Sequence, residues 1–411
     1  MNNSQPLHSM ALTNICNLVS TPCYILDVAE LQRSVEGFQK ALSSHFSKAI
    51  VGYSVKTNSV PYCLCKAGKY GAYAEVVSHD EYELAKLCGF KPEKIIYNGP
   101  MKSKSTFLEA VEGGAIVNIE TKRELEWLKA LDQRKAHNVG LRLNVNISHI
   151  SKEDADGDND NSRFGFSDET NEFADAVSLI SSMPNVRLHG LHIHRTAHSR
   201  SLHFYEQLTE FACSVIKKHS LDIDYIDVGG GYFGIFPNKP TYQQYSDTIY
   251  NVLKKNGLEH LSIVVEPGNA LVASCYTFVS EVIDHKEVEP NHWFITTDGS
   301  RNDIDPFFKK SSYIDEEIYL DSSSPVVKDQ TIGGCTCLEY DRLFSLHDKP
   351  LLNVGDRIAF HNVGAYTMCL SPMFIRYIPN IYAIENGECK LVREKWTAQE
   401  YIQKNDFEIN K

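Results

Sequence analysis

The chain has 411 residues, 42% of them hydrophobic, and a formal net charge of −12. That length exceeds one ordinary small domain and suits a large barrel with a second domain around a sizeable core. The acidic balance argues against nucleic acid or an acidic membrane surface as a partner, and no stretch is long and apolar enough to span a bilayer. Met1–Ser20 shows no basic region leading into an apolar core, so no signal peptide is expected. The 11 cysteines are odd in number and scattered, which points to reduced thiols in a cytoplasm. Cys63/Cys65 and Cys335/Cys337 lack a second ligand pair at zinc spacing, so no metal is expected.

Residues 24 to 47 read as a short strand and then a helix, with Asp27 as N-cap and Leu31, Val35, Phe38 and Leu42 at helical spacing. Short apolar runs follow at Ala49–Val55, Ala74–Val77, Lys94–Tyr97, Ala115–Ile119, Val139–Asn144, Leu188–His194, Tyr225–Val228 and Ser262–Val265. Helical patterns at Ser78–Cys88, Thr121–Ala130, Thr170–Ser181, Phe204–His219 and Tyr242–Lys255 fall between them. Strands alternating with helices in this number predict an α/β fold, a (β/α)8 TIM-type barrel over residues 28–275. Ser151–Ser162 reads as a solvated acidic loop. Its Asp156-x-Asp158-x-Asp160 spacing lacks the glycine and glutamate that a calcium loop requires. Beyond about residue 275 the strand-like runs Tyr276–Ile283, Trp293–Thr297, Arg357–Phe360, Phe374–Tyr377 and Cys389–Arg393 are punctuated by Pro, Gly, Asn and Asp. They predict a C-terminal mostly-β domain, barrel or sandwich, over 276–411, to which Cys23–Leu26 within residues 1–27 adds a strand.

Barrel enzymes carry their chemistry at the C-terminal ends of the strands. Lys56 ends the first run, where its ammonium must be desolvated or used. A Schiff base with a carbonyl cofactor would use it; snorkelling into water is the plain alternative. Gly229-Gly230-Gly231 after the seventh run either lets backbone N–H groups approach a phosphate or makes a tight turn. Gly229-x-Gly231-x-x-Gly234 also matches the dinucleotide fingerprint, but it runs into Ile235-Phe236-Pro237-Asn238-Lys239-Pro240, which cannot open a helix. Glu266 ends the eighth run and needs a partner such as a protonated pyridine nitrogen. His192 and His194 end the sixth. His194 could stack on an aromatic cofactor, join His192 and His198 on a metal, or pack as a neutral ring. A strand-end lysine, a phosphate loop and a buried carboxylate together describe a pyridoxal phosphate site better than a metal site.

In this order the motifs resemble those of the fold-type III, alanine-racemase-like pyridoxal phosphate decarboxylases, and within them diaminopimelate decarboxylase and its relatives. The likeness runs from Thr21-Pro22-x-Tyr24 to Leu391-Val392-Arg393. Tyr53-Ser54-Val55-Lys56-Thr57-Asn58 resembles the lysine motif and Gly190-Leu191-His192-Ile193-His194 the histidine motif. Gly229–Gly231 and Glu266-Pro267-Gly268 resemble the phosphate and pyridine-nitrogen motifs. Gly334-Cys335-Thr336-Cys337, with Asp341 four residues on, resembles the catalytic cysteine segment, and Gly364-Ala365-Tyr366 the C-terminal tyrosine motif.

The resemblance implies that Lys56 carries pyridoxal 5'-phosphate and that His194 stacks on it. Gly229, Gly230, Gly231, Glu266, Gly268 and Tyr366 complete the cofactor site. Cys337 acts as general acid. A homodimer is implied in which Cys337, Asp341 and Tyr366 complete the partner's site. The sequence departs from the family at Arg195-Thr196-Ala197, where Ile-Gly-Ser usually follows the stacking histidine, leaving Thr196, His198 or Ser199 to stand in for the phosphate serine. Asn269 and Asp305 replace arginines, and Leu338 replaces a glutamate. The lost groups mainly hold the far end of diaminopimelate. Arg195, His198, Arg200, Arg301 and Asp341 are therefore the expected substrate residues. The expected function is decarboxylation of an amino acid, with a modified or conjugated diamino acid as substrate rather than meso-diaminopimelate. Alternatives on the same fold are a racemase or epimerase, which needs acids on both faces of the ring, and a non-catalytic pyridoxal phosphate-binding regulatory homologue, which would tend to lack the lysine or the cysteine.

Overall fold

The computed structural model describes residues 19–157, 160–308, 316–319, 324–370 and 372–406. Two compact units share the chain: one is Leu31–Val272, the other Met1–Glu30 with Ala273–Lys411. Strand β1 (Cys23–Asp27) runs into helix α1 (Val28–Ser43), whose first turn is capped by Asp27 Oδ1 accepting from Glu30 N at 2.9 Å. Leu31, Val35, Phe38 and Leu42 are buried along one face of α1, as their spacing requires.

The first unit is a closed parallel barrel of β2 (Ala49–Ser54), β3 (Tyr73–Ser78), β4 (Ile95–Met101), β5 (Ile116–Ile119), β6 (His137–Leu143), β7 (Val186–Ile193), β8 (Tyr225–Asp227) and β9 (Ser262–Val265). Val51 pairs with Val265 where β2 meets β9 and closes the ring. All eight apolar runs became strands because each is buried on both faces, against the barrel interior and the surrounding helices. The helices between successive strands are α2 (Pro61–Lys69), α3 (His79–Leu87), α4 (Lys104–Glu112), α5 (Lys122–Trp127), α6 (Glu172–Ser181), α7 (Leu202–Lys218) and α8 (Tyr242–Lys255). The sequence pattern omitted α2 and α4. Both are nine residues long and carry Gly, Cys, Ser or Thr that blur the apolar period. No helix opens at the glycine run: residues 235–241 form turns, and α8 starts at Tyr242 under a Thr241–Gln244 capping box.

The second unit is a mixed sheet. It contains β10 (Tyr276–Glu289), β11 (His292–Thr297), β12 (Glu316–Tyr319), β13 (Val326–Gly333), β14 (Arg342–Pro350), β15 (Arg357–Phe360), β16 (Asn380–Glu385) and β17 (Glu388–Arg393). The order is β14-β13-β11-β10-β1-β16-β17, with β15 paired to β10 and β12. β1 lies antiparallel to β10 and parallel to β16, so the N-terminal strand belongs to this sheet. The expected strand Phe374–Tyr377 is not formed. It lies between Pro372 and Pro379, and Ile375 takes a left-handed backbone at φ 71°, which no strand admits. β13 and β14 escaped the pattern because their exposed faces are dense in Asp, Lys, Arg and His.

Candidate active site

The strand ends of the barrel converge on one hydrogen-bonded network. β2 stops at Ser54, and Lys56 sits in the single 3-10 turn that follows, Val55–Thr57, rather than on the strand itself. Lys56 Nζ lies 2.8 Å from Ser54 Oγ and 2.9 Å from Glu75 Oε2. Ser54 Oγ in turn donates to Glu75 Oε2 at 2.6 Å. The other Glu75 oxygen accepts from Asn98 Nδ2 at 3.1 Å, and Asn98 Nδ2 also donates to Glu266 Oε1. Asn118 links Asn98 Oδ1 at 2.8 Å to Asp227 Oδ2 at 3.3 Å and is itself held by Tyr225 OH at 2.8 Å. Ser54, Glu75, Asn98, Asn118, Asp227 and Glu266 are all buried. The network therefore runs in a low-dielectric interior, where each pairing fixes its neighbours.

Glu266 and Asp227 form a buried carboxylate pair with His192; one ligand-type atom from each lies within 4.8 Å of the others. Burial opposes ionisation of Glu266, but the charge of His192 first, and then its closeness to His192 and Asp227, outweigh burial and hold this carboxyl well below the usual range. Burial, and then the Glu266 charge, push Asp227 well above it. The pair therefore carries one proton, on Asp227. His192 Nε2 is 3.5 Å from Glu266 Oε2, too long for a firm hydrogen bond, and neither ring nitrogen has another partner among the described residues.

His194 Nδ1 accepts from Gly230 N at 3.2 Å, which leaves any proton on Nε2. Burial, then the positive charge of Arg142, push its pKa down to about 3, so the ring is neutral. At Gly229, φ is 68° and an added Cβ would lie 2.4 Å from His194 Nδ1. Only glycine lets the loop pass this close to the ring. Asp227 Oδ1 accepts from Gly229 N at 3.0 Å, while the Gly231 and Tyr232 amides donate to no described group.

The loop after β6 is not simply solvated. Asp154 is buried and accepts from Ser199 N at 2.6 Å and Ser199 Oγ at 2.8 Å. Asp160 is ion-paired with Arg195. Acids that looked like a surface run are thus spent on the segment after His194, a long-range pairing that composition cannot reveal. His198 and Thr196 are exposed, with His198 Nε2 3.4 Å from Asp156 Oδ1.

In the sheet unit, Asp341 is buried and organises its own turn. It accepts from Arg301 N at 2.8 Å, Ser300 Oγ at 3.3 Å, Thr336 N at 3.1 Å and Thr336 Oγ1 at 2.6 Å. Within that turn Cys335 is half-buried and Cys337 exposed. Arg301 pairs with buried Asp305 at 3.0 Å. Tyr366 is 40% exposed on a left-handed backbone, φ 55°.

Sequence reasoning missed Glu75, Asn98, Asn118 and Asp227. Each is a lone polar residue within or at the end of an apolar run, the same signal that singled out Lys56 and Glu266. Arg142, buried on β6 and paired with Glu120 at the end of β5, carried it too.

The barrel residues fit pyridoxal phosphate. Lys56 offers an amine beside a buried acid, ionised Glu266 needs a cationic N–H, and the glycine loop has amides to spend on phosphate. A family model, the pyridoxal binding domain of the pyridoxal-dependent decarboxylases, matches residues 28–273. The chain is 25% identical to the diaminopimelate decarboxylase of Aquifex aeolicus over 98% of this chain and 96% of that one. It is 26% identical to that of Bacillus subtilis, with 93% and 91% covered. Among solved structures, Methanocaldococcus jannaschii diaminopimelate decarboxylase in complex with L-lysine matches with a TM-score of 0.82 at 23% identity, over 97% of this chain and 94% of that one. The arginine decarboxylase of Paramecium bursaria Chlorella virus bound to agmatine matches with a TM-score of 0.74 at 18% identity, over 91% and 100%. These two structural likenesses carry the fold.

Proposed function

The chain belongs to the pyridoxal-dependent decarboxylases and is a pyridoxal phosphate-dependent carboxy-lyase; from that premise we propose that it decarboxylates a diamino acid whose far end differs from that of meso-diaminopimelate. The observation that carries the substrate reading is that two of the three arginines near the altered motifs are already committed, Arg195 to Asp160 and Arg301 to Asp305, which leaves Arg200. Asp305 itself stands where the family usually has an arginine. A distal carboxylate would have to compete with these acids, whereas an amine or an amide-linked group would not.

Pyridoxal phosphate, when bound, supplies the electron sink that takes up the pair left by departing CO2. The chain's own groups do the rest. Ser54 and Glu75 hold the Lys56 amine at the barrel mouth. Glu266, kept ionised by its neighbours, would hold a proton on the cofactor's ring nitrogen, and Asp227 keeps its own proton and so adds no second charge. His194 presents a flat neutral face fixed by Gly230. Cys337, an exposed thiol, would deliver the proton that replaces the carboxylate.

The working form in this reading is a homodimer, with Cys337 and Tyr366 reaching a second copy's barrel. The exposed apolar residues Leu370, Met373, Phe374 and Ile375 support it, because such a run is costly to leave in water. A cytoplasmic setting agrees with the free cysteines.

The test is CO2 release from meso-diaminopimelate, lysine, ornithine, arginine and amide-conjugated diamino acids, at matched concentrations. The proposal expects a conjugated or cationic substrate to lead. A kcat/KM for meso-diaminopimelate of about 10⁴ M⁻¹s⁻¹ or more, above all others, overturns the substrate reading.

A further inference from the structure

We infer that Arg200 supplies the cation for the cofactor's phosphate, in place of the serine and arginine that the altered motifs lack; the inference rests on the decarboxylase reading above. A phosphate dianion needs N–H donors and a compensating positive charge. The donors are the unspent amides of Gly231 and Tyr232. For the charge, the segment after His194 narrows to one residue. Arg195 is held by Asp160, the Ser199 amide and hydroxyl by Asp154, and Ser201 Oγ caps α7 by accepting from Phe204 N at 3.1 Å. His198 and Thr196 are exposed, and Ala197 has no polar group. Arg200 is half-buried, and no described carboxylate pairs with it. A partly dehydrated guanidinium without an acid is costly unless an anion comes to it.

Its placement is built. The Arg200 Cζ lies 5.3 Å from the centre of the Phe233 ring, two residues past Gly231. The Arg200 carbonyl accepts from Tyr245 OH at 2.7 Å, and Phe233 N donates back to that same hydroxyl at 3.4 Å. Tyr205 OH donates to Gly230 O at 2.8 Å. These tyrosines tie the Arg200 backbone and the glycine loop to one scaffold. Arg200 also takes a left-handed backbone, φ 48°, a conformation that persists in a non-glycine residue only when its surroundings impose it. Lys239 Nζ lies 4.8 Å from the same ring but is exposed, and lacks the fork that grips two phosphate oxygens at once.

The experiment titrates apoprotein with pyridoxal 5'-phosphate and, separately, with unphosphorylated pyridoxal, following visible absorbance, for wild type, Arg200→Gln, Arg200→Lys and Lys239→Gln. Expected for Arg200→Gln is a Kd for pyridoxal phosphate raised about tenfold or more with that for pyridoxal unchanged, the unchanged value also reporting an intact fold. Arg200→Lys falls between, and Lys239→Gln behaves as wild type. Equal binding of pyridoxal phosphate by Arg200→Gln and wild type overturns the inference, as does a loss shared equally by both ligands or one produced by Lys239→Gln instead. Wild type that takes up neither ligand overturns the decarboxylase reading with it.

Discussion

The barrel's strand ends and the Cys337 turn solve opposite problems. At the strand ends, Lys56, Glu75, Asn98, Asn118, Asp227 and Glu266 are joined from one strand to the next, so that no side chain moves without breaking a neighbour's hydrogen bond. In the sheet unit one buried carboxylate, Asp341, gathers a turn in which the Cys337 thiol is left exposed. Groups that meet a planar ring gain from being fixed before it arrives, because reorganisation is then already complete. A group that hands over a proton after CO2 has gone gains from staying free.

Mutations at the two regions should therefore differ in what they change. In the proposed reading Glu266→Gln removes the charge that would keep the ring nitrogen protonated; turnover should fall by about 10²–10³-fold in steady-state assays while cofactor still binds. Unchanged turnover would make the strand-end network a structural device. Cys337→Ala should cost about 10²-fold in kcat and leave the cofactor Kd at its wild-type value, since the thiol belongs to the other kind of region. If the cofactor Kd moves with kcat, the contrast between the regions breaks down. Asp341→Asn gives its turn an N–H₂ where Thr336 and Arg301 need acceptors. A loss in kcat of about tenfold is expected, with destabilisation of about 1–3 kcal/mol in urea titrations.

The smallest effect concerns Glu81 on α3. Burial first raises its pKa to about 7, although Val77 N donates to it at 2.8 Å. A carboxyl raised above its ordinary value stabilises the fold fully at pH below about 4.5 and loses that contribution as pH climbs through 7. Glu81→Gln should therefore gain about 1–3 kcal/mol over wild type at pH 8 and nothing at pH 4, measured by chemical denaturation. A gain that is the same at both pH values would mean that charge is not the cause.

The barrel was legible because each of its strands is a short apolar run, and Lys56, Glu266 and the glycine run stood out as violations of that pattern. Glu75 and Asp227 broke it in the same way and were overlooked, since a single carboxylate inside Ala74–Val77 reads as one face of a strand. Phe374–Tyr377 misled for the opposite reason. Its aromatic and β-branched residues have strand propensity, but the flanking prolines and the left-handed Ile375 decide the backbone. Pairings such as Asp154 with Ser199, 45 residues apart, lie beyond any local pattern.

In the proposed reading Lys56, and not another amine, carries the cofactor. Lys102 is the instructive rival, because it is fully buried and spent on Glu124 at 3.2 Å and on backbone carbonyls. Reducing the pyridoxal phosphate-loaded protein with borohydride, digesting it and mapping the pyridoxyl mass onto peptides decides between them. The label is expected on the peptide containing Lys56 and should disappear in Lys56→Ala; a label on Lys102 or any other lysine would rule Lys56 out.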